Sequence, residues 1–296
     1  MVAMAISMLI TLAAIAALVV ARRGFDTVDS ASQMRDNMRF TSDLIQRLGA
    51  QTGYKDVQYL PSDPNTAATT ATASVGGFNN ALYATISNTN TVLQKPGQGG
   101  LNGSDILILR MQGNTDESVI DCSGRAVDGP TFKDERSVSV IHLDDSQGEL
   151  SLMCASLTRT PTNSLSLENQ PIIQGVENFQ VLYGVDTDND SVADRFLRAD
   201  QITTQANWRL VRSLRIGMVL RGPINSQQEK VEQKLYPFGL AKESASGAEG
   251  SALSSIDDTG SEMVIKPDED PSKDKHQGRL RQTVTFTVHL RNDQNL

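Results

Sequence analysis

The chain opens on an apolar run, residues 2–20, broken only by Ser7 and Thr11. As a helix rising 1.5 Å per residue it would span about 30 Å, the hydrocarbon thickness of a bilayer. No turn signal follows it. Ala31, Met34, Met38, Thr41, Ile45 and Leu48 recur at alternating steps of three and four, and Phe40 and Leu44 widen the stripe. Arg35, Asp36, Arg39, Asp43 and Arg47 lie off it. That period predicts one continuous helix whose second half is amphipathic and docks on a globular body, with Gly49 and Gly53 as its stop. A cleaved secretory leader is the alternative, since alanines at 13, 14, 16 and 17 imitate a cleavage site. Against it stand the absence of basic residues before the run, the length of the run and the helical pattern that continues past it.

Beyond the helix, residues 61–74 are rich in Pro, Thr, Ala and Ser without a period and predict a loop. Strand patterns follow at residues 105–111 (DILILRM), 137–143 (SVSVIHL), 149–157 (ELSLMCASL), 179–185 (FQVLYGV), 210–220 (LVRSLRIGMVL) and 282–290 (QTVTFTVHL). Helical patterns do not alternate with them, so a parallel βαβ sheet is disfavoured. The prediction is an α+β fold: a long N-terminal helix on the face of an antiparallel sheet, with long loops. Residues 241–262 and 266–278 are polar and rich in Ser, Gly, Asp and Lys, and predict a mobile excursion, an insertion over about 239–278. The expected organisation is a helical segment, 1–53, with a membrane or filament-core half (1–22) and an amphipathic half (23–53), followed by a β-rich domain, 54–296.

Composition narrows the function classes. The formal net charge is −8, with 27 basic against 35 acidic residues and no basic run longer than Arg22-Arg23, which argues against a nucleic-acid partner. Roughly 245 residues remain after the helix, enough to bury a sizeable core. Cys122 and Cys154 are the whole cysteine complement, without CxxC spacing or a nearby histidine, so zinc is disfavoured. In an oxidising compartment they form one disulfide, closing a loop of about 30 residues and contributing roughly 3–4 kcal/mol; two buried thiols are the other reading. Arg22 and Arg23, read by the positive-inside rule, would place the body in the cytoplasm, at odds with a disulfide unless basic residues lie upstream.

The sharpest local motif is 186–194, DTDNDSVAD. Asp186, Asp188, Asp190 and Asp194 fall at positions 1, 3, 5 and 9 of a calcium loop, and hard carboxylate oxygens at that spacing suit Ca2+. Ser191 stands where an EF-hand has glycine, and Leu197 where it has its bidentate glutamate. A solvated acidic turn is the competing reading. The glycines of 97–103 precede a strand and lack a GK[ST] ending, so they read as a loop rather than a phosphate cradle. His142, His276 and His289 have no spaced partners for a metal or a triad, and GxSxG and HExxH are absent. Nothing here argues for an enzyme.

Several stretches together resemble a known family. The apolar segment containing Ser7-Met8-Leu9-Ile10-Thr11 runs into Arg35-Asp36-Asn37-Met38-Arg39-Phe40 and ends near Gly53-Tyr54. Gly103-Ser104-Asp105-Ile106-Leu107, the Cys122 and Cys154 pair, Gly175-Val176-Glu177-Asn178-Phe179 through Leu182-Tyr183-Gly184-Val185-Asp186, and Trp208 through Ile216 follow in order. In order and spacing these resemble the PilW family of type IV pilus minor pilins. The resemblance implies a non-enzymatic subunit of a priming or tip complex. It would wait in the bacterial inner membrane with a periplasmic body, then join the pilus beside other minor pilins and the major pilin through its N-terminal helix. It further implies residues 2–20 for anchoring and bundling, Met34, Met38, Ile45 and Leu48 for docking the helix, and a Cys122–Cys154 disulfide. The family's basic leader, Gly–Phe cleavage site and following glutamate are not in the sequence. Met1 to Ser7 look like the segment just after that glutamate, so the reading frame is expected to continue upstream, where basic residues would resolve the Arg22-Arg23 conflict. Rival readings are a minor pseudopilin of type II secretion, a soluble periplasmic binding protein, and a membrane-anchored adhesin or sensor ectodomain.

Overall fold

The structure, a computed structural model, describes residues 2–55, 72–87, 90–116, 118–130, 135–159, 165–224, 226–227, 231–242, 251–255, 257–266 and 278–292. Helix α1, Val2–Gln51, is a single element of 50 residues, roughly 75 Å long at the α-helical rise. Several of its hydroxyl residues bond back to their own helix: Ser7 Oγ to Met4 O at 2.9 Å, Ser30 Oγ to Asp26 O at 2.7 Å and Thr41 Oγ1 to Asn37 O at 2.7 Å. The end is set by Thr52 and Gly53. Thr52 returns its N–H to Leu48 O at 2.9 Å, and Gly53, at φ 77°, takes the left-handed turn that lets its own N–H reach Arg110 O at 3.0 Å. The helix is therefore tied to the sheet by its terminating residue.

Two antiparallel sheets share one core, where the sequence pattern predicted a single sheet. The first has the order β1 (Val75–Phe78), β4 (Ile106–Met111), β5 (Ser137–Ser146), β6 (Glu149–Arg159), β7 (Leu165–Gln174). The second has the order β15 (Arg281–His289), β10 (Val211–Arg221), β8 (Val176–Val185), β9 (Arg195–Leu197). All six predicted strands are present within a few residues of their predicted ends. The chain changes sheets at one residue. Gly175, at φ 83°, donates its N–H to Leu150 O on β6 at 2.8 Å and accepts from Arg221 N on β10 at 2.7 Å. A Cβ there would lie 2.8 Å from Arg221 O, so the corner needs glycine both for its φ and for the close approach.

Between the sheets lie Leu107, Leu109, Ile141 and Leu152 from one side and Phe179, Val181, Tyr183, Leu214 and Ile216 from the other. The outer face of the first sheet is covered by the hairpin β2 (Tyr83–Ile86) and β3 (Val92–Gln94), whose Tyr83, Ile86 and Val92 pack with Ile106, Ile108, Val138 and Val140. That explains why β4 is apolar at both parities: each face is roofed. A short helix α2 (Gln205–Trp208) sets Trp208 edge-on to Tyr183 at 4.7 Å between ring centroids.

The polar excursion before the last strand carries short strands, and part of it packs on the body. β11 (Gln233–Leu235) pairs with β14 (Met263–Ile265), and β12 (Ala241–Lys242) runs parallel to β13 (Ser251–Ser255). Asp258, Ser261 and Met263 are buried, and Gly260 O accepts from Asn178 Nδ2 at 3.3 Å. Residues 61–71 of the predicted loop, and residues 243–250 and 267–277 of the predicted excursion with His276, lie outside the described residues.

Candidate functional site

Among the described residues, nothing is packed on the first half of α1. Its apolar side chains are bare, Val2 75%, Leu9 65% and Val20 70% exposed among them, and its most apolar 18-residue window has a mean hydropathy of 2.6 with none of it buried. That window is long and apolar enough to cross a membrane. An apolar surface of this extent needs lipid or other helices around it. The second half is different. Met34, Ile45 and Leu48 are buried, Met38 is half-buried against the core, and Ser30 and Thr41 complete the covered stripe. Leu44 widens it as the pattern predicted, but Phe40, one turn earlier on the same side of the helix, is 55% exposed. The seat is tight. A Cβ on Gly49 would lie 2.3 Å from Val288 Cγ1, and Asn292 Nδ2 donates to Ala50 O at 3.1 Å and Thr52 O at 3.0 Å, binding the end of the helix to the end of β15.

Cys122 and Cys154 form a disulfide with a Cα–Cα distance of 5.6 Å. It fixes the loop after β4 onto β6. The same loop is held by Asp121, fully buried, whose Oδ1 accepts from Ser123 N at 2.8 Å and Arg125 N at 3.0 Å while Arg125 Nη2 reaches Oδ2 at 3.2 Å. Arg125 also pairs with Glu168 on β7.

The acidic loop joins β8 to β9. Asp186 follows Val185 directly, and Asp194 closes the loop by donating its N–H to Val185 O at 3.0 Å. Asn189 and Ser191 take φ of 62° and 73°, so Ser191 adopts the left-handed conformation for which a calcium loop uses glycine. Asp186, Asp188 and Asp194 each offer a carboxylate oxygen, all within 4.8 Å of one another. Asp190 is outside this group; its Oδ1 accepts from Val192 N at 2.8 Å. Leu197 pairs with Tyr183 in the sheet. Arg212, which the motif does not contain, places Nε 3.2 Å from Asp186 Oδ2, and Ser191 N donates to the same oxygen at 3.0 Å. Burial acts to raise the Asp186 carboxyl, but Arg212 and that amide outweigh it and hold the group below the usual carboxylate range. Asp194 is lowered by the Thr187 hydroxyl and amide, which reach its Oδ2 at 2.6 Å and 2.7 Å. Both are anionic at neutral pH.

Two polar clusters escaped sequence reasoning because their members are far apart in the chain. Glu177, fully buried, accepts from Arg221 Nη1 at 2.9 Å and Arg281 Nε at 2.5 Å, while Glu149 accepts from Arg221 Nη2 at 2.5 Å and Arg279 Nη2 at 3.1 Å. Asp105 joins the sheets, accepting from Asn80 N and from Val181 N on β8, both at 2.8 Å. Desolvation nonetheless pushes its carboxyl well above the usual range, against those two hydrogen bonds. The glycine-rich stretch ends in a 3-10 turn, Leu101–Gly103, that hooks onto β8 through Asn102 and Gly103: Asn102 Nδ2 donates to Glu177 O at 2.7 Å and Gln180 Nε2 to Gly103 O at 2.8 Å. His142 stacks on Tyr83 at 4.2 Å with Nε2 3.2 Å from Asn169 Oδ1, and burial lowers its pKa. His289 lies on β15 opposite Ser213.

No curated protein sequence matches the chain. A type IV-like pilin from Thermus thermophilus is similar in structure at 12% identity and a TM-score of 0.38, over 88% of this chain and 97% of its own. The family model described as PilW, type IV pilus-assembly protein W, matches residues 142–292. That is just over half the chain, from β5 through β15, and it takes in the corner at Gly175, the acidic loop and the strand that seats the helix; the chain belongs to the PilW family of type IV pilus-assembly proteins.

Proposed function

We propose that this chain is a minor pilin, a non-enzymatic subunit held in the bacterial inner membrane by residues 2–20 with its body in the periplasm, and afterwards built into a pilus. The observation that carries the reading is the division of α1 into a wholly uncovered apolar half and a docked half with no break between them. A lipid bilayer and a bundle of pilin helices are comparably apolar surroundings, so such a helix can leave one for the other at little cost in solvation. The docked half makes the body travel with it. Met34, Ile45 and Leu48 and the close contact of Gly49 with Val288 fix the angle at which the apolar half projects. The other minor pilins and the major pilin would meet residues 2–20, in a priming or tip complex, a reading that membership of a pilus-assembly family supports.

The test is fractionation of piliated cells carrying a C-terminally tagged chain. The tag is expected in the inner membrane and, after shearing, with the pili. Leu9→Lys puts a charge near the middle of the apolar half at about 2.5–3.5 kcal/mol of insertion free energy, and is expected to deplete the chain from both fractions. A tagged wild-type chain that never appears in sheared pili, in cells that assemble pili normally without it, would overturn the proposal.

A further inference from the structure

We propose that the β8–β9 loop is a calcium site whose protein ligands are Asp186, Asp188 and Asp194. Three carboxylate oxygens within 4.8 Å of one another are a beginning, but exposed acidic groups often gather without a cation. The observation that points to a ligand is at Asp186. Its side chain is fully buried, its Oδ2 is bound by Arg212 and Ser191, and its Oδ1 is buried with no hydrogen-bond partner among the described residues. A carboxylate oxygen withdrawn from water and left unpaired is costly. With Oδ2 taken by Arg212 and Ser191, Oδ1 is the oxygen left to a cation, and one shared with Asp188 and Asp194 would supply its partner.

The donor set chooses the ion. All three side chains are hard oxygen donors and none is sulfur or imidazole, which favours Ca2+ over zinc or copper. Three carboxylates outweigh the single positive charge of Arg212, so the loop keeps a net negative charge for the ion. The position that would carry a bidentate glutamate is Leu197, committed to β9, so water completes the shell. Few charged ligands and an exposed rim place the affinity in the weak range of extracellular calcium modules, on the order of 0.1–1 mM. Occupancy would brace the hairpin at the open end of the second sheet, where Arg212 O also receives Leu290 N at 2.9 Å.

The experiment titrates CaCl2 into the chelator-stripped full chain in detergent, read by calorimetry and by thermal melting. One site with a dissociation constant in that range and a rise in melting temperature is expected, with magnesium binding at least about tenfold more weakly. Asp188→Asn and Asp194→Asn are suitable variants because both side chains are exposed, and an amide oxygen can still accept the backbone N–H each now serves. Each should weaken calcium at least about tenfold, with the melting temperature in chelator little changed. Asp36→Asn, on the outer face of α1, should leave binding as it is. The proposal is overturned by no heat and no melting shift up to about 10 mM calcium, by equal binding of magnesium, or by binding that persists unchanged in Asp188→Asn and Asp194→Asn.

Discussion

Replacing Gly49 by alanine sets two effects of similar size against each other, and the structure decides between them. In the interior of an unencumbered helix the change is favourable by about 1 kcal/mol, because glycine loses more backbone freedom on folding. Here a new Cβ would lie 2.3 Å from Val288 Cγ1, 3.7 Å from Val288 Cβ and 3.8 Å from Leu290 Cδ2. Carbon atoms pack best at about 3.5–4.0 Å, so one partner must yield by more than an ångström. Val288 is poorly placed to yield: it is 2% exposed, paired with Leu214 across the sheet and stiff at χ1. Overpacking of this kind costs about 1–3 kcal/mol. The clash therefore wins or at least cancels the gain, and Gly49→Ala is expected to destabilise by about 0–2 kcal/mol. Val288→Ala alone removes buried methyl groups, at about 1–3 kcal/mol. In the double variant the offending Cγ1 is gone and the nearest remaining atom is at 3.7 Å, an ordinary contact. The helix propensity gain is then recovered, so the two changes should couple favourably by about 1–3 kcal/mol. Urea unfolding of the full chain in detergent, followed by Trp208 fluorescence, measures all four corners of the cycle. Gly49→Ala that stabilises by about 1 kcal/mol with no coupling to Val288→Ala would show that the helix does not rest on β15, and the docked half of the proposed function would go with it.

Three further outcomes follow from the buried polar groups and the disulfide. Glu177→Gln leaves the guanidiniums of Arg221 and Arg281 facing a neutral side chain in a dry site, and should cost about 3–5 kcal/mol in urea unfolding; a loss below about 1 kcal/mol would mean that water reaches the cluster. Cys122→Ser should lower stability by about 3–4 kcal/mol on the chain-entropy account, and reductant should reproduce that loss in the wild type while leaving the variant unmoved. Asp105, whose folded carboxyl is raised by burial, holds a proton in the native state where the unfolded chain has lost it. Its contribution therefore favours the fold at low pH and declines as pH rises from about 4 toward the raised value. Asp105→Asn should flatten that part of the stability–pH curve, and a curve of unchanged slope would contradict the burial argument.

How much of this was legible in the sequence depends on whether the information was local. The helix announced itself because its period and its apolar run are properties of neighbouring residues, and the six apolar strands did so for the same reason. β7 did not: Leu165–Gln174 carries Glu168, Asn169 and Pro171, as a sheet edge can, and is not among the predicted strands. The second sheet was hidden by economy of means, since a single glycine, Gly175, separates β7 from β8 and nothing about one glycine says that the chain crosses from one layer to the other. Phe40 misled because it has the same spacing as Leu44 and yet stays exposed, a difference that helical period alone does not carry. The acidic loop lies between these cases. Its spacing was readable, yet Asp190 falls out of the cluster and Arg212 enters from β10, because a motif fixes the order of ligands but not which of them the fold turns inward. The pieces on which the family resemblance rested have a physical basis in the same contacts. Ser104 Oγ accepts from Phe179 N at 3.1 Å and Asp105 from Val181 N, so two segments far apart in the chain form one joint between the sheets.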